Sequence, residues 1–403
     1  MRDIFRKRRM WRRPGALKPS YDVVIIGGGS HGLATAYYLK EHGITNVAVL
    51  EKNYIGSGAA GRNTTILRSN YKTPEGARFY DASIKLYEGL SADVDFNVMF
   101  SQRGHLTLAH SDRAAFVMAN RAEVNRLQGI DSRLIGRDEI QALAPSMNIR
   151  EDATYPVQAA LYHPPGGIIR HDAVVWGFAR GADEGGAEIH PYTEVTGLDR
   201  TGDRITGVRT NRGTVSAGIV LNCTAGWSTL IADMAGVPLP ITTHILQACV
   251  TEPVKPFLDV VIVSSQMHVY ISQTGRGEFV MGSEIEPWTT YRTQGTLNFL
   301  QDLTKHTLEL FPQLEHARIL RAWAGLCDLS PDYSPILGKT DVENFHVSAG
   351  WGTYGFKAAP IVGHTLAELV ATGRTPDLIA PFALERFYTD ELVSELAAAA
   401  VSH

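Results

Sequence analysis

The chain has little of what marks an exported, disulfide-bonded or membrane-spanning protein. Its 403 residues include only three cysteines (Cys223, Cys249 and Cys327), with no CxxC pair and no metal-ligand spacing. Neither a disulfide framework nor a metal site is therefore expected. No apolar run is long enough to cross a bilayer, and no signal peptide is visible. Together these features predict a protein of the reducing cytoplasm.

The chain also has little excess charge of either sign, because its net charge is only −4. The distribution is nevertheless uneven, since eight of the first 18 residues are Lys or Arg and one is Asp. This basic N-terminal arm, residues 1–19, is either a solvated tail or a segment that contacts an acidic partner. Nucleic acid is not an expected partner, because the rest of the chain is acidic and offers no basic face.

The most informative segment is residues 22–32, which read DVVIIGGGSHG. Four branched apolar residues predict a buried parallel strand, and Gly27, Gly29 and Gly32 then form a GxGxxG turn that opens a helix. Gly27 permits the turn, Gly29 lets a pyrophosphate approach the backbone, and Gly32 lets helix and strand pack closely. A second strand ends at Glu51, an acid suited to ribose hydroxyls. This spacing predicts a dinucleotide-binding βαβ unit.

Two later strands, near residues 219–226 and 345–349, also end in small residues where a cofactor could lie. They indicate an α/β fold whose nucleotide domain is assembled from separated pieces, with an antiparallel α+β domain inserted between them. The predicted boundaries are 20–95, 155–235 and 325–390 for the nucleotide domain, and 96–154 and 236–324 for the substrate domain.

Four segments together resemble the glycine/D-amino-acid oxidase family of flavoproteins, and the resemblance covers nearly the whole chain after residue 20. They are GLATAYYL from Gly32, RNTTILRSNY over 62–71, GGIIRHDAV over 166–174 and GWGTYGFK over 350–357. Within that family the last two segments are similar to the beta subunits of heterotetrameric sarcosine oxidases. N-methylglutamate dehydrogenase has a similar subunit, and the motifs exclude neither it nor another secondary amino acid oxidoreductase.

The resemblance implies a Rossmann-like FAD-binding domain and oxidative demethylation of an N-methyl amino acid. The first candidate is sarcosine, converted to glycine and a one-carbon unit. It also implies a non-covalent FAD, an FMN bound covalently to His171, and electrons passing from FAD to FMN. The implied partners are alpha, gamma and delta subunits, with NAD in the alpha subunit.

The expected FAD contacts surround the glycine-rich turn. Glu51 and Lys52 should flank the ribose, and Val195 should pair with the adenine edge. The remaining expected contacts lie beside the flavin ring. One set is Arg62, Asn63 and Thr64. The other is Gly352, Thr353 and Gly355, whose backbone N–H groups would stabilise negative charge on the reduced ring.

Arg68 and Lys357 are the expected catalytic residues. An N-methyl amino acid carries a carboxylate, which Arg68 can hold through two parallel hydrogen bonds and Lys357 through a compact charge. The resemblance matches these positions to the arginine and lysine that hold the substrate carboxylate. Their charge should also lower the pKa of the substrate amine and so favour its reactive neutral form.

Three further expectations concern neighbouring side chains. His171 should be exposed and reachable, with Asp172 capping the helix that follows and Arg170 available to a phosphate. Tyr354 should lie near the substrate side of the flavin. His268 and Tyr270 could both line the substrate pocket.

Two other functions stay open on the sequence alone. An accessory flavin-carrier subunit would lack a substrate site, which the pair of cations argues against. A NAD-dependent Rossmann dehydrogenase would have a compact cofactor domain, which the separated return strands argue against.

Overall fold

The computed structural model describes residues 10–12 and 14–395. The strands are β1 (Ser20–Ile26), β2 (Val47–Leu50), β3 (Ile66–Leu67), β4 (His105–Ala109), β5 (Arg133–Gly136), β6 (Ala159–His163), β7 (Gly167–Ile168), β8 (Glu188–His190), β9 (Val195–Thr201), β10 (Arg204–Thr210), β11 (Gly213–Asn222), β12 (Thr242–Thr251), β13 (Val261–Ser264), β14 (Val269–Gln273), β15 (Phe279–Ile285), β16 (Ile319–Leu329), β17 (Ile336–Lys339) and β18 (Phe345–Ala349). The α-helices are α1 (Ser30–Leu39), α2 (Pro74–Asp93), α3 (Asp112–Leu127), α4 (Arg137–Leu143), α5 (His171–Glu184), α6 (Ser228–Ala235), α7 (Leu297–Leu310), α8 (Ala359–Thr372) and α9 (Arg386–Thr389).

The first sheet has the order β17-β18-β11-β1-β2-β8, and its central strands are parallel. Strands β1 and β2 are almost entirely apolar and buried, as expected of strands covered on both faces. Helix α1 packs between α5 and α8 on one face. Because β1, β2, β11 and β18 run the same way, their carboxyl ends meet at one edge, where a nucleotide can bind.

The second sheet has the order β16-β12-β15-β14-β13-β4-β6-β5. Its pairs are antiparallel except β13 with β4, which are parallel. The outer face packs against α7 through a second apolar core that includes Leu303, Phe279 and Phe311. The long strands β12 and β16 carry the sheet back toward the first sheet, and this mixed α/β architecture confirms the predicted fold class.

Strands β4 and β6 lie near the predicted domain boundaries. Gly104 has a φ of +94° and directly precedes β4, which begins at His105. Strand β6 pairs with β4 and β5 in the second sheet, although the predicted boundaries assign residues 155–235 to the nucleotide domain. We keep the two-domain division as a proposal.

The described end of the basic arm contacts acids of the chain itself. Arg12 Nε lies 3.0 Å from Asp183 Oδ1, and Lys18 Nζ lies 2.8 Å from Glu188 Oε1. Residues 1–9 and 13, which hold most of the arm's charge, lie outside the described residues. None of the helices in the described part of the chain is long and apolar enough to cross a membrane.

Candidate active site

A cavity of about 490 Å³ opens at the carboxyl ends of the parallel strands. It is bounded by the glycine-rich turn, the end of β11 and the turn after β18. Eleven residues predicted to contact FAD line it: Gly27, Gly29, Glu51, Lys52, Arg62, Asn63, Thr64, Val195, Gly352, Thr353 and Gly355. Gly32 and His171 are not among its lining residues.

The three motif glycines have distinct geometric reasons to lack a side chain. Gly27 has a φ of +110°, and a Cβ there would lie 2.4 Å from the carbonyl oxygen of Cys223. A Cβ on Gly32 would lie 2.1 Å from the Gly27 carbonyl, so a side chain would push α1 away from the turn. Gly29 lines the cavity, and the nearest atom to its Cβ position is 3.9 Å away. Backbone therefore faces open space where a pyrophosphate would approach.

The acidic end of β2 is held by backbone donors. Glu51 Oε2 accepts a hydrogen bond from the Gly28 N–H at 2.9 Å, and Oε1 accepts one from the Asn53 N–H at 2.8 Å. Lys52 Nζ lies 4.0 Å from the ring centroid of Trp227, which also lines the cavity. The carboxylate is thereby oriented at the cavity wall, where ribose hydroxyls would meet it.

The turn after β18 is fixed by Asp328, which the sequence analysis missed. The Gly350 N–H donates to Asp328 Oδ2 at 2.7 Å, and the Gly352 N–H donates to the Asp328 carbonyl oxygen at 2.8 Å. The expectation that the Gly352 N–H faces the flavin is therefore wrong, because the turn directs that donor back to β16. Burial raises the pKa of Asp328 to about 7.

His31, in the glycine-rich turn itself, was also missed. Its Nε2 donates to the Gly355 carbonyl at 2.6 Å, and its Nδ1 accepts from the Ser348 hydroxyl at 3.0 Å. Burial lowers the pKa of His31 to about 4, so the imidazole is neutral and this tautomer satisfies both nitrogens. Its position between Gly29 and Gly32 gave no signal, since its partners Ser348 and Gly355 come from the far end of the chain.

A second cavity, of about 450 Å³, lies beside the first, between the turn after β18 and the inner face of the second sheet. Arg68 and Lys357 both line it, although they are far apart in the sequence. The two cavities share a wall formed by Asn63, Thr64, Leu246, Tyr270, Thr353 and Phe356. A group bound at this wall is therefore reachable from both cavities.

The two predicted cations are buried, each 9% exposed. Arg68 Nη1 donates to the Asn70 carbonyl at 3.2 Å, and its guanidinium carbon lies 4.3 Å from the ring centroid of Tyr71. The Lys357 backbone carbonyl accepts from the Ser83 hydroxyl at 2.6 Å. Burial, reinforced by the charge of Arg68, holds the pKa of Lys357 well below its usual range. A bound carboxylate would restore its charge.

Two more polar side chains of the second cavity were missed, His105 and Arg121. His105 and Thr107 project from the same face of β4, at the two-residue period of a strand. Arg121 lies on a face of α3 with Ala114 and Val117, at helical spacing. The periodicity was readable, but nothing in the sequence indicated which element those faces meet.

The neighbouring aromatic residues are arranged differently from what was expected. Tyr354 is 1% exposed, and its hydroxyl donates to the Glu395 carbonyl at 2.9 Å. It packs against Tyr71 and Tyr80 and lines neither cavity, so the expectation that it faces the substrate is wrong. Tyr270 lines both cavities, whereas His268 lines neither.

His171 is the first residue of α5 and is half-buried. The helix is preceded by Arg170 as its N-cap, so the expectation that Asp172 caps it is wrong. Asp172 instead forms a close ion pair with Arg170, Oδ2 to Nη2 at 2.6 Å. Burial lowers the pKa of His171, which leaves a neutral imidazole at a helix start.

Comparison with known proteins places this geometry in context. The model of the family DAO, FAD dependent oxidoreductase, matches residues 22–369. The chain is 46% identical over 395 residues to sarcosine oxidase subunit beta of Arthrobacter sp, covering 98% of this chain and 97% of that protein. It is 46% identical over 386 residues to the subunit beta of Rhizobium meliloti (strain 1021), covering 96% and 92%. Among solved structures, L-proline dehydrogenase from P.horikoshii superposes with a TM-score of 0.88 at 32% identity, covering 94% of this chain and 100% of that one. These matches confirm the resemblance drawn from the motifs.

Proposed function

The chain belongs to the FAD dependent oxidoreductase family, and on that premise we propose that it oxidises N-methyl amino acids at the carbon–nitrogen bond, with sarcosine as the smallest substrate. The observation that carries the proposal is the meeting of Arg68 and Lys357 in a cavity that shares a wall with the glycine-rich cavity. An accessory flavin carrier would have no need of such a pair. A relative named subunit beta also supports assembly with other subunits.

The residues of the first cavity fit an FAD. Gly27 and Gly29 leave room at the helix start for a pyrophosphate, and Glu51 is oriented for a ribose. Thr353 and Gly355 would border the flavin ring. The bound FAD supplies the acceptor for the electrons that leave the amine.

The protein's part of the reaction is to hold the substrate and its protonation state. Arg68 and Lys357 grip the carboxylate, and this fixes the amine and its methyl group toward the shared wall. Two positive charges beside the amine lower its pKa, which favours the neutral form that can be oxidised. His31 is held neutral, so it adds no further positive charge at the first cavity.

We propose further that His171 carries a covalent FMN and that the partners are alpha, gamma and delta subunits, with NAD in alpha. A neutral, half-buried imidazole is a nucleophile suited to such a bond. Because His171 lines neither cavity, a flavin on it would lie outside the substrate site and need a partner to cover it. Arg170 is engaged by Asp172, so it is not the group assigned to the phosphate.

The carboxylate clamp is tested by Lys357→Met, which keeps the length of the side chain and removes its charge. We expect kcat/KM for sarcosine to fall about 100-fold or more, since a buried charged contact to the substrate is lost. Bound FAD, measured by its absorbance, should stay at the wild-type level. Lys85→Met is the matched control, because Lys85 is exposed and pairs with Asp81 on the surface of α2. Unchanged turnover in Lys357→Met would refute the clamp.

The covalent flavin is tested by precipitating the assembled enzyme with acid. We expect part of the yellow colour to remain with the protein, and mass spectrometry should find a flavin mass on the peptide that holds His171. His171→Ala should release all the colour, whereas His316→Ala, at an exposed position, should not. Complete loss of colour from the wild type would remove this assignment and leave the clamp untouched.

A further inference from the structure

His105 has no role in holding a single carboxylate, yet it is built into the second cavity. Its side chain is on β4 and is 1% exposed. Among the described residues, neither of its ring nitrogens has a hydrogen-bond partner. Leaving two such nitrogens buried and unsatisfied costs free energy, and a ligand in the cavity is a natural partner for them.

The environment of His105 fixes its protonation state. Burial lowers its pKa well below the usual value, and the charges of Arg68, His163, Lys357 and Arg121 lower it further. The ring is therefore neutral and offers one N–H donor and one acceptor. Arg68, Arg121 and Lys357 line the same cavity as His105, so the ring lies at the cationic end of that cavity.

Arg121 brings a further positive charge to the same cavity. Its Nε donates to the Asn70 carbonyl at 2.8 Å, the same oxygen that accepts from Arg68. The two guanidinium groups are thus neighbours, and burial together with Arg68 lowers the pKa of Arg121 to about 9. Within the described part of the chain Arg121 forms no ion pair, although the charge of Glu395 acts on it and raises its pKa. A cation so placed favours an anionic ligand.

Sarcosine cannot satisfy these groups, because its one carboxylate is assigned to Arg68 and Lys357 and it has no side chain. We propose that His105 and Arg121 form a second recognition site for a side-chain carboxylate, so that the enzyme prefers N-methyl amino acids of the N-methylaspartate and N-methylglutamate class. The inference rests on the proposed function, since it assigns a substrate class to the same cavity. A cavity of about 450 Å³ has room for such a side chain.

The substrate preference is tested with the assembled enzyme and pairs of substrates that differ in one charge. N-methyl-L-glutamate and N-methyl-L-aspartate should have kcat/KM values at least about tenfold above those of N-methyl-L-glutamine and N-methyl-L-asparagine, because a charged hydrogen bond is lost in the amides. If the enzyme oxidises sarcosine but does not prefer the two acidic substrates over their amides, only this inference is overturned. If it oxidises neither sarcosine nor any of the four larger N-methyl amino acids, the proposed function is overturned.

Two variants locate the preference. His105→Leu and Arg121→Lys should each lower the ratio of kcat/KM for N-methyl-L-glutamate to that for sarcosine by about tenfold, mainly through KM. Arg126→Lys is the control, because Arg126 is exposed on the same helix and pairs with Glu123. An unchanged ratio in both cavity variants would overturn the assignment of these residues.

Binding of non-oxidisable ethers gives a readout that does not depend on turnover. Methoxysuccinate copies N-methylaspartate, and methoxyacetate copies sarcosine. Calorimetry should find methoxysuccinate bound more tightly by the wild type, with that advantage reduced in His105→Leu. Equal affinities for the two ethers in the wild type would contradict a second carboxylate site, even if the variants fold poorly.

Discussion

The two cavities are neighbours that recognise their ligands by different means. The first is lined by glycine-rich turns together with small polar and apolar residues, and its shape is set by turns such as the one at Gly27. The second is walled by long cationic side chains, including Arg68, Arg121 and Lys357, that come from different elements. A large cofactor shared across a family can be bound by backbone geometry, whereas selection among small substrates needs side-chain charge.

The largest effect is expected from a change in the backbone packing of the first cavity, which the second cavity does not share. Gly32→Ala places a Cβ 2.1 Å from the Gly27 carbonyl, so α1 must move away from β1. We expect a loss of about 3 kcal/mol or more in the free energy of unfolding, together with loss of FAD. Urea titration and flavin absorbance measure the two effects.

Gly43→Ala is the control for that substitution, because the Cβ position at Gly43 has no atom within 4 Å and only its φ of +73° is strained. It should cost about 1 kcal/mol and retain FAD. Equal effects of the two substitutions would mean that the close approach of helix and strand is not what the first cavity requires.

The next effect concerns Asp328, whose hydrogen bonds shape the turn between the cavities. Its pKa rises from 3.8 to about 7 on folding, so between these pH values the folded state holds a proton that the unfolded chain has released. That contribution to stability is present at low pH and is lost as the pH rises through about 7.

The stability of the wild type relative to Asp328→Asn should therefore fall by about 2 kcal/mol between pH 5 and pH 8. Chemical unfolding at the two pH values measures it. Asp259→Asn, at an exposed position, should show no such pH dependence. A wild-type and an Asp328→Asn enzyme with parallel pH profiles would argue against a buried, protonated Asp328.

The smallest expected effect tests whether Tyr354 lies outside the second cavity. Tyr354→Phe removes only the hydroxyl that donates to the Glu395 carbonyl, and it should cost about 1 kcal/mol of stability. Because Tyr354 lines neither cavity, KM for sarcosine should stay within about twofold of the wild type. A large rise in KM would contradict the assignment of Tyr354 to the core and indicate that it contacts the substrate.

The sequence by itself determined the parts of the protein whose constraints are local. The turn from Gly27 to Gly32 and the strand that ends at Glu51 are continuous in the chain, so their spacing was enough to predict a dinucleotide site. The resemblance to known flavoproteins then drew attention to Arg68, Lys357 and His171.

Only the tertiary structure decided what depends on elements meeting from far along the chain. It directs the Gly352 N–H to Asp328 and buries Tyr354 against Tyr71. It also brings β4 and α3 to the cavity that Arg68 lines. Periodicity indicates which residues share a face of a strand or helix, but it does not indicate what that face meets. His105 and Arg121 became visible as a pair for this reason, since their relation exists only through the packing of the second sheet and α3 around the shared cavity.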